Sequence, residues 1–133
     1  MKRTPMKSRY RDTGPDRETV MQVLVRDGYR CVRCGALAQG ARGVVWSLQH
    51  RKKRSAGVDN RHCNLIVLCG SGTTGCHGWV EDHPTLAEHE GGWSVSRYAK
   101  PENVPVLVDR GSRWTYLTES GEYSDDPPEV GAA

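Results

Sequence analysis

The chain has 133 residues, no Phe and 36% hydrophobic residues, which allows one small domain whose thin core calls for a disulfide or a metal as a staple. Its net charge of +3 conceals a division: residues 1–61 hold 15 Lys and Arg against 5 Asp and Glu, whereas residues 62–133 hold 4 against 11. The basic half points to a polyanionic partner, and the absence of any membrane-length apolar run, or of an apolar stretch after the basic start, excludes a spanning segment and a signal peptide in favour of a cytoplasmic location.

Residues 1–15 are basic and polar, with Pro5, Gly14 and Pro15, and read as a flexible arm. Pro15-Asp16 then suits a helix N-terminus, Val20, Leu24 and Val23 supply an apolar face, and Asp27-Gly28 ends the helix. Tyr29 to Gly35 reads as a tight knuckle. Val44 to Leu48 is β-branched and aromatic and predicts a strand. The basic loop Arg51-Lys52-Lys53-Arg54 follows, then the apolar run Leu65 to Leu68, expected as a buried strand, and a Gly-rich loop. A helix is expected from Cys76 to Asp82. Pro84 either interrupts it or begins a second one that stops at Gly91-Gly92. The segments 93–97, 104–108 and 114–117 alternate like strands and predict a small antiparallel meander. The division expected is therefore an arm (1–15), a core (16–92), a β meander (93–123) and a disordered acidic tail (124–133).

Cysteine spacing is the strongest signal. Cys31-x2-Cys34 places two sulfurs on one metal with little strain, and Cys69-x6-Cys76 can fold back through Gly70, Gly72 and Gly75. In a reducing compartment such pairs indicate metal rather than disulfide. The four are expected to hold one structural Zn2+. Cys63 fits no ligand spacing and is expected in the core.

The residues Trp46-Ser47-Leu48-Gln49-His50-Arg51-Lys52, Asn64 to Cys69 and Gly75-Cys76-His77-Gly78-Trp79-Val80-Glu81 resemble the HNH endonuclease family, and the run from Leu68 to Val80 is similar to its small actinobacterial and phage members. The resemblance covers roughly residues 16–97. It implies an α+β fold, a ββα-metal unit on a treble-clef-like zinc core, and hydrolysis of DNA phosphodiester bonds. It implies His50 as general base, a role suited to an imidazole whose pKa lies near neutrality. It implies that Asn64 fixes the geometry of His50 or takes part in holding metal, with Asn60 a weaker candidate, and that His77 ligates a catalytic divalent cation. The next ligand is expected one helical turn on, which favours Glu81. His83 lies about 240° around the helix from His77 and precedes a Pro, so it serves only if the helix breaks early. His62 and His89 read as surface residues.

One position departs from the family pattern. Many members carry His or Asp before the general base, and this chain carries Gln49. A neutral amide is a poorer ligand for a soft metal, which favours Mg2+ or Mn2+ over Ni2+ or Zn2+, weak metal retention, or reduced activity. The expected partner is double-stranded DNA, held without much sequence preference by phosphate contacts from Arg51, Lys52, Lys53, Arg54 and Arg61, with the arm tracking nearby phosphates. Family association adds a phage or mobile-element origin, a host-cell cytoplasmic setting and DNA-packaging proteins as partners. Two other readings stand beside this one: a zinc-stabilised DNA-binding module with weak or no catalysis, and a zinc-ribbon protein whose partner is another protein.

Overall fold

The computed structural model describes residues 14–128. The expected arm therefore lies outside the described residues except at Gly14 and Pro15, and so does the end of the tail, 129–133. Within the described residues the fold is small α+β, with three helices and two antiparallel sheets. No helix among them is long and apolar enough to cross a membrane.

Helix α1 spans Arg17–Arg26. Asp16 caps it by accepting from Thr19 N at 2.8 Å, which satisfies one of the orphan donors of the first turn. Asp27 closes it, and Gly28 leaves the helix at φ +71°. Strands β1 (Trp46–His50) and β2 (Leu65–Cys69) pair antiparallel, with Trp46 opposite Cys69 and His50 opposite Leu65. Side chains alternate along a strand, and β2 uses both faces. Leu65 and Val67 pack with Val20, Val23, Leu24 and Leu48, whereas Ile66 and Leu68 join a second cluster containing Cys31, Val80, Trp93 and Leu117. That explains the continuous apolar run: no residue of Leu65 to Leu68 meets water. Helices α2 (Gly75–Asp82) and α3 (Pro84–Gly91) follow, with Pro84 opening the second.

The C-terminal sheet comprises β3 (Val106–Val108), β4 (Arg113–Leu117) and β5 (Tyr123–Ser124), in that order. It differs from expectation in its strands. Residues 93–97 form no strand: Val95 N donates to Arg51 O, and the indole of Trp93 donates to Leu107 O at 2.9 Å. The third strand comes instead from Tyr123 and Ser124, so residue 124, read as the start of the tail, pairs with Tyr116. Val106, Val108 and Leu117 share one cluster with Cys31 and Cys76. The meander thus packs on and completes the core of residues 16–92. Asp27 ties the two together, accepting from Tyr123 Oη at 2.6 Å and from Val67 N at 3.0 Å.

Candidate functional site

The four cysteines that the spacing singles out come together. Cys31 and Cys34 lie on the knuckle after α1, where Gly35 N bonds back to Cys31 O at 2.8 Å. Cys69 ends β2 and Cys76 lies in the first turn of α2. Their sulfur atoms all lie within 4.8 Å of one another, and none is in a disulfide. Tetrahedral zinc at its usual bond length separates its sulfurs by about 3.8 Å, so the cluster is placed to hold one metal ion and is compatible with zinc. Gly75, at φ +62°, permits the tight return: a Cβ there would stand 2.7 Å from Cys69 O. The Cys76 sulfur raises the pKa of Cys31 well above the ordinary thiol value, with burial adding to the rise, and burial raises Cys69. A cation is what makes four thiolates compatible with such crowding. Arg33 adds positive charge from outside the cluster. Its guanidinium donates to Cys76 Sγ at 3.4 Å and lies 4.1 Å from the ring centroid of Trp79. Cys63 sits apart, fully buried.

A second group of residues lines a cavity of about 450 Å³ beside the end of β1. Gln49, His50, His77 and Glu81 contribute to it, and the exposed Arg42, Lys53 and Arg54 give it a basic rim. Hydrogen bonds fix the protons of both histidines. Ser47 has one hydroxyl proton and donates it to Gly70 O at 2.9 Å, so Ser47 Oγ accepts from His77 Nδ1–H at 2.5 Å. The lone pair of His77 is therefore on Nε2, which stands 3.6 Å from Glu81 Oε1. The pair sits one helical turn apart on α2, the spacing that lets a His and a Glu act on one partner. Gln49 is 2% exposed, and its Oε1 is the buried side-chain polar atom left without a partner among the described residues. Gln49 is one of the residues lining the cavity, and a carbonyl-type oxygen is the donor chemistry that a hard divalent cation takes.

His50 behaves differently from His77. Its Nε2 donates to Asn60 Oδ1 at 2.8 Å, which leaves Nδ1 as the basic atom. Burial lowers the pKa of both rings, keeping each neutral near pH 7. Asn60, the weaker candidate from sequence, is the residue that orients His50. Asn64 is fully buried and bonds across the loop that carries Asn60: its Oδ1 accepts from Lys52 N at 2.7 Å and its Nδ2 donates to Asp59 O at 2.9 Å.

Three expectations require correction. Arg51 does not face a phosphate path. It is 0% exposed, and its guanidinium donates to the carbonyls of Gly92, Cys63, Pro101, Val104 and Pro105. Arg61 is exposed, but Asp59, Glu102 and Glu119 neutralise it. His83 does not line the cavity: its Nδ1 donates to Trp79 O at 2.9 Å and its ring stacks on Trp79. Lys52 is half-buried, which leaves Lys53 and Arg54 as the exposed cations of the loop. Arg42, which lay outside the basic run, joins them only through the fold. Ser47 was likewise missed, since a Ser in a strand carries no signal of its own.

No protein-family model, no curated protein and no solved structure matches this chain.

Proposed function

We propose that the chain is a metal-dependent DNA endonuclease of the HNH type, in which the four cysteines hold a structural Zn2+. On this reading the strand–loop–strand–helix unit from β1 to α2 is the family's ββα-metal arrangement on a treble-clef-like core. The observation that supports it is the placement of Gln49, His50, His77 and Glu81 around one basic-rimmed cavity, with His77 Nε2 3.6 Å from Glu81 Oε1. Gln49, His77 and Glu81 would hold a divalent cation, with Mg2+ or Mn2+ suited to the two oxygens. Such an ion would stabilise charge on the phosphate and the leaving oxygen. His50, held by Asn60, would take the proton of the attacking water at Nδ1. Arg42, Lys53 and Arg54 would hold the flanking phosphates. The phage setting and the link to DNA packaging rest on the resemblance alone.

Cleavage of supercoiled plasmid tests the reading. Zinc-loaded protein is assayed with Mg2+, Mn2+, Ni2+ or Zn2+ added in turn, beside His50→Ala. The expected outcome is metal-dependent nicking that falls by at least about a hundredfold in the variant, with DNA affinity kept. The neutral Gln49 favours a second reading, a zinc-stabilised DNA-binding module without catalysis. That reading takes over if both proteins bind DNA and neither cuts with any ion.

A further inference from the structure

A second cavity, of about 350 Å³, lies against the first and shares Lys53 and Ser55 with it. Its far wall comes from the segment after α3, where Ser94, Ser96 and Arg97 line it. The segment is anchored at two consecutive residues in the middle of that wall. Val95 N donates to Arg51 O at 2.8 Å, and Ser96 N donates to Glu88 Oε2 at 3.0 Å. Glu88, the acidic residue lining the groove, thus has its carboxylate engaged by backbone. Beyond the anchor the chain turns outward. Arg97 is exposed, its guanidinium lies 5.6 Å from the ring centroid of Tyr98, and Tyr98 is 87% exposed. A large aromatic at that exposure contributes nothing to the core. Paired with a cation at the mouth of a groove, it is a surface suited to a nucleotide, with the cation for the phosphate and the ring for stacking.

We propose that this groove carries the DNA strand away from the cleavage cavity, with Lys53 bridging the two, Arg97 contacting a phosphate and Tyr98 stacking on an adjacent base. The inference rests on the endonuclease reading and extends its substrate path into a part of the chain, residues 94–98, that lies beyond α3. It gives that segment a reason for its form: a strand in its place would have turned Arg97 and Tyr98 into a ladder, whereas a pinned turn leaves both in solvent.

Fluorescence anisotropy with a labelled 20-base-pair DNA duplex carrying a single-stranded overhang, on zinc-loaded protein without added divalent ion, tests it. Wild type is compared with Arg97→Ala, Arg97→Glu, Tyr98→Ala and, as a control for general charge loss, Arg113→Ala, which lies on β4. The association constant is measured across a salt series. Loss of one phosphate contact lowers the slope of log K against log salt by about 0.9. Arg97→Ala is expected to show that drop with several-fold weaker binding, and Arg97→Glu a larger one. Tyr98→Ala is expected to weaken binding several-fold with the slope unchanged. If wild type binds and cleaves DNA while Arg97→Ala keeps the wild-type slope, or loses no more than Arg113→Ala, the groove assignment fails and the endonuclease reading stands. If wild type binds no DNA, both fail. The substituted side chains are exposed, so unchanged melting curves confirm that all variants fold.

Discussion

Arg51 shows how far a residue's role depends on where the backbone takes it. In sequence it leads a run of four cations; in the structure it is a buried hub for five carbonyls. Burial pulls its pKa down to about 9, which still leaves it charged at pH 7. Among the described residues no carboxylate answers that charge, and the carbonyl dipoles do. Arg51→Met is of similar reach and removes every donor at once. Each buried carbonyl left unpaired costs about 1–3 kcal/mol, and partial relaxation brings the expected loss to about 3–5 kcal/mol in urea unfolding. The salt dependence of DNA binding by the folded fraction is expected to stay as in wild type. A phosphate-binding Arg51 would give the opposite pair of results: intact stability and a shallower salt slope. The four cysteines, by contrast, were legible from spacing, because ligand geometry is local and chemically exclusive. Burial of one Arg in a run of four is settled by tertiary contacts that the run does not encode.

At the scale of elements, local chemistry set what was legible. Helix α1 was readable because Asp16 and Gly28 punctuate it, and β2 because four consecutive apolar residues fill both of its faces. Strand β1 was expected over Val44 to Leu48 and lies at Trp46–His50. Hydrophobicity misplaced it by two residues: Val44 is 65% exposed, while Gln49 and His50 take their places opposite Ile66 and Leu65. The polar end of a strand is visible only through its partner. That shift matters to the site, because it places Gln49 and His50 inside the sheet, with His50 as the last residue of the strand. Helix α2 bears on the site from the other side, and Gly78 sets how closely it can lie. A Cβ at Gly78 would stand 2.5 Å from the carbonyl carbon of Thr73, which is backbone and cannot rotate away. Gly78→Ala gains helix propensity of about 1 kcal/mol yet forces α2 off the loop. Overpacking of this kind costs about 1–3 kcal/mol. The net stability change measured by urea titration is expected to be small or negative, while cleavage falls more than tenfold, since His77 and Glu81 move with the helix. A variant more stable than wild type with full activity would refute the fixed-distance argument.

For the whole molecule, the cysteine cluster is where the separate parts meet. The sulfurs come from the knuckle after α1, the end of β2 and the start of α2. Cys31 and Cys76 also belong to the cluster of buried side chains that β3 and β4 complete through Val106, Val108 and Leu117. Releasing the metal would therefore free the knuckle and α2 together and open the side of the core that the meander covers. Structural zinc binding in small peptide sites is worth roughly 10–16 kcal/mol, and a domain of this size has about 5–15 kcal/mol of total stability, so with zinc on the four cysteines the metal-free chain would have no margin to remain folded. The chain as purified is expected to carry one zinc per molecule that dialysis against Mg2+ does not displace. Titrating the thiols with a mercurial in the presence of a chromophoric chelator is expected to release that zinc in step with loss of far-ultraviolet circular dichroism. Cleavage should vanish at the same point even with Mg2+ in excess, because Gly70, whose carbonyl holds Ser47 and through it His77, sits beside Cys69 in the metal loop. If the metal-free chain kept its melting temperature, the four cysteines would be ordinary core thiols and the coupling between cluster and cavity would be lost with them. If instead the fold dissolved but a cysteine-liganded Co2+ spectrum could be restored together with cleavage, the cluster would be established as the element on which both the core and the cavity depend.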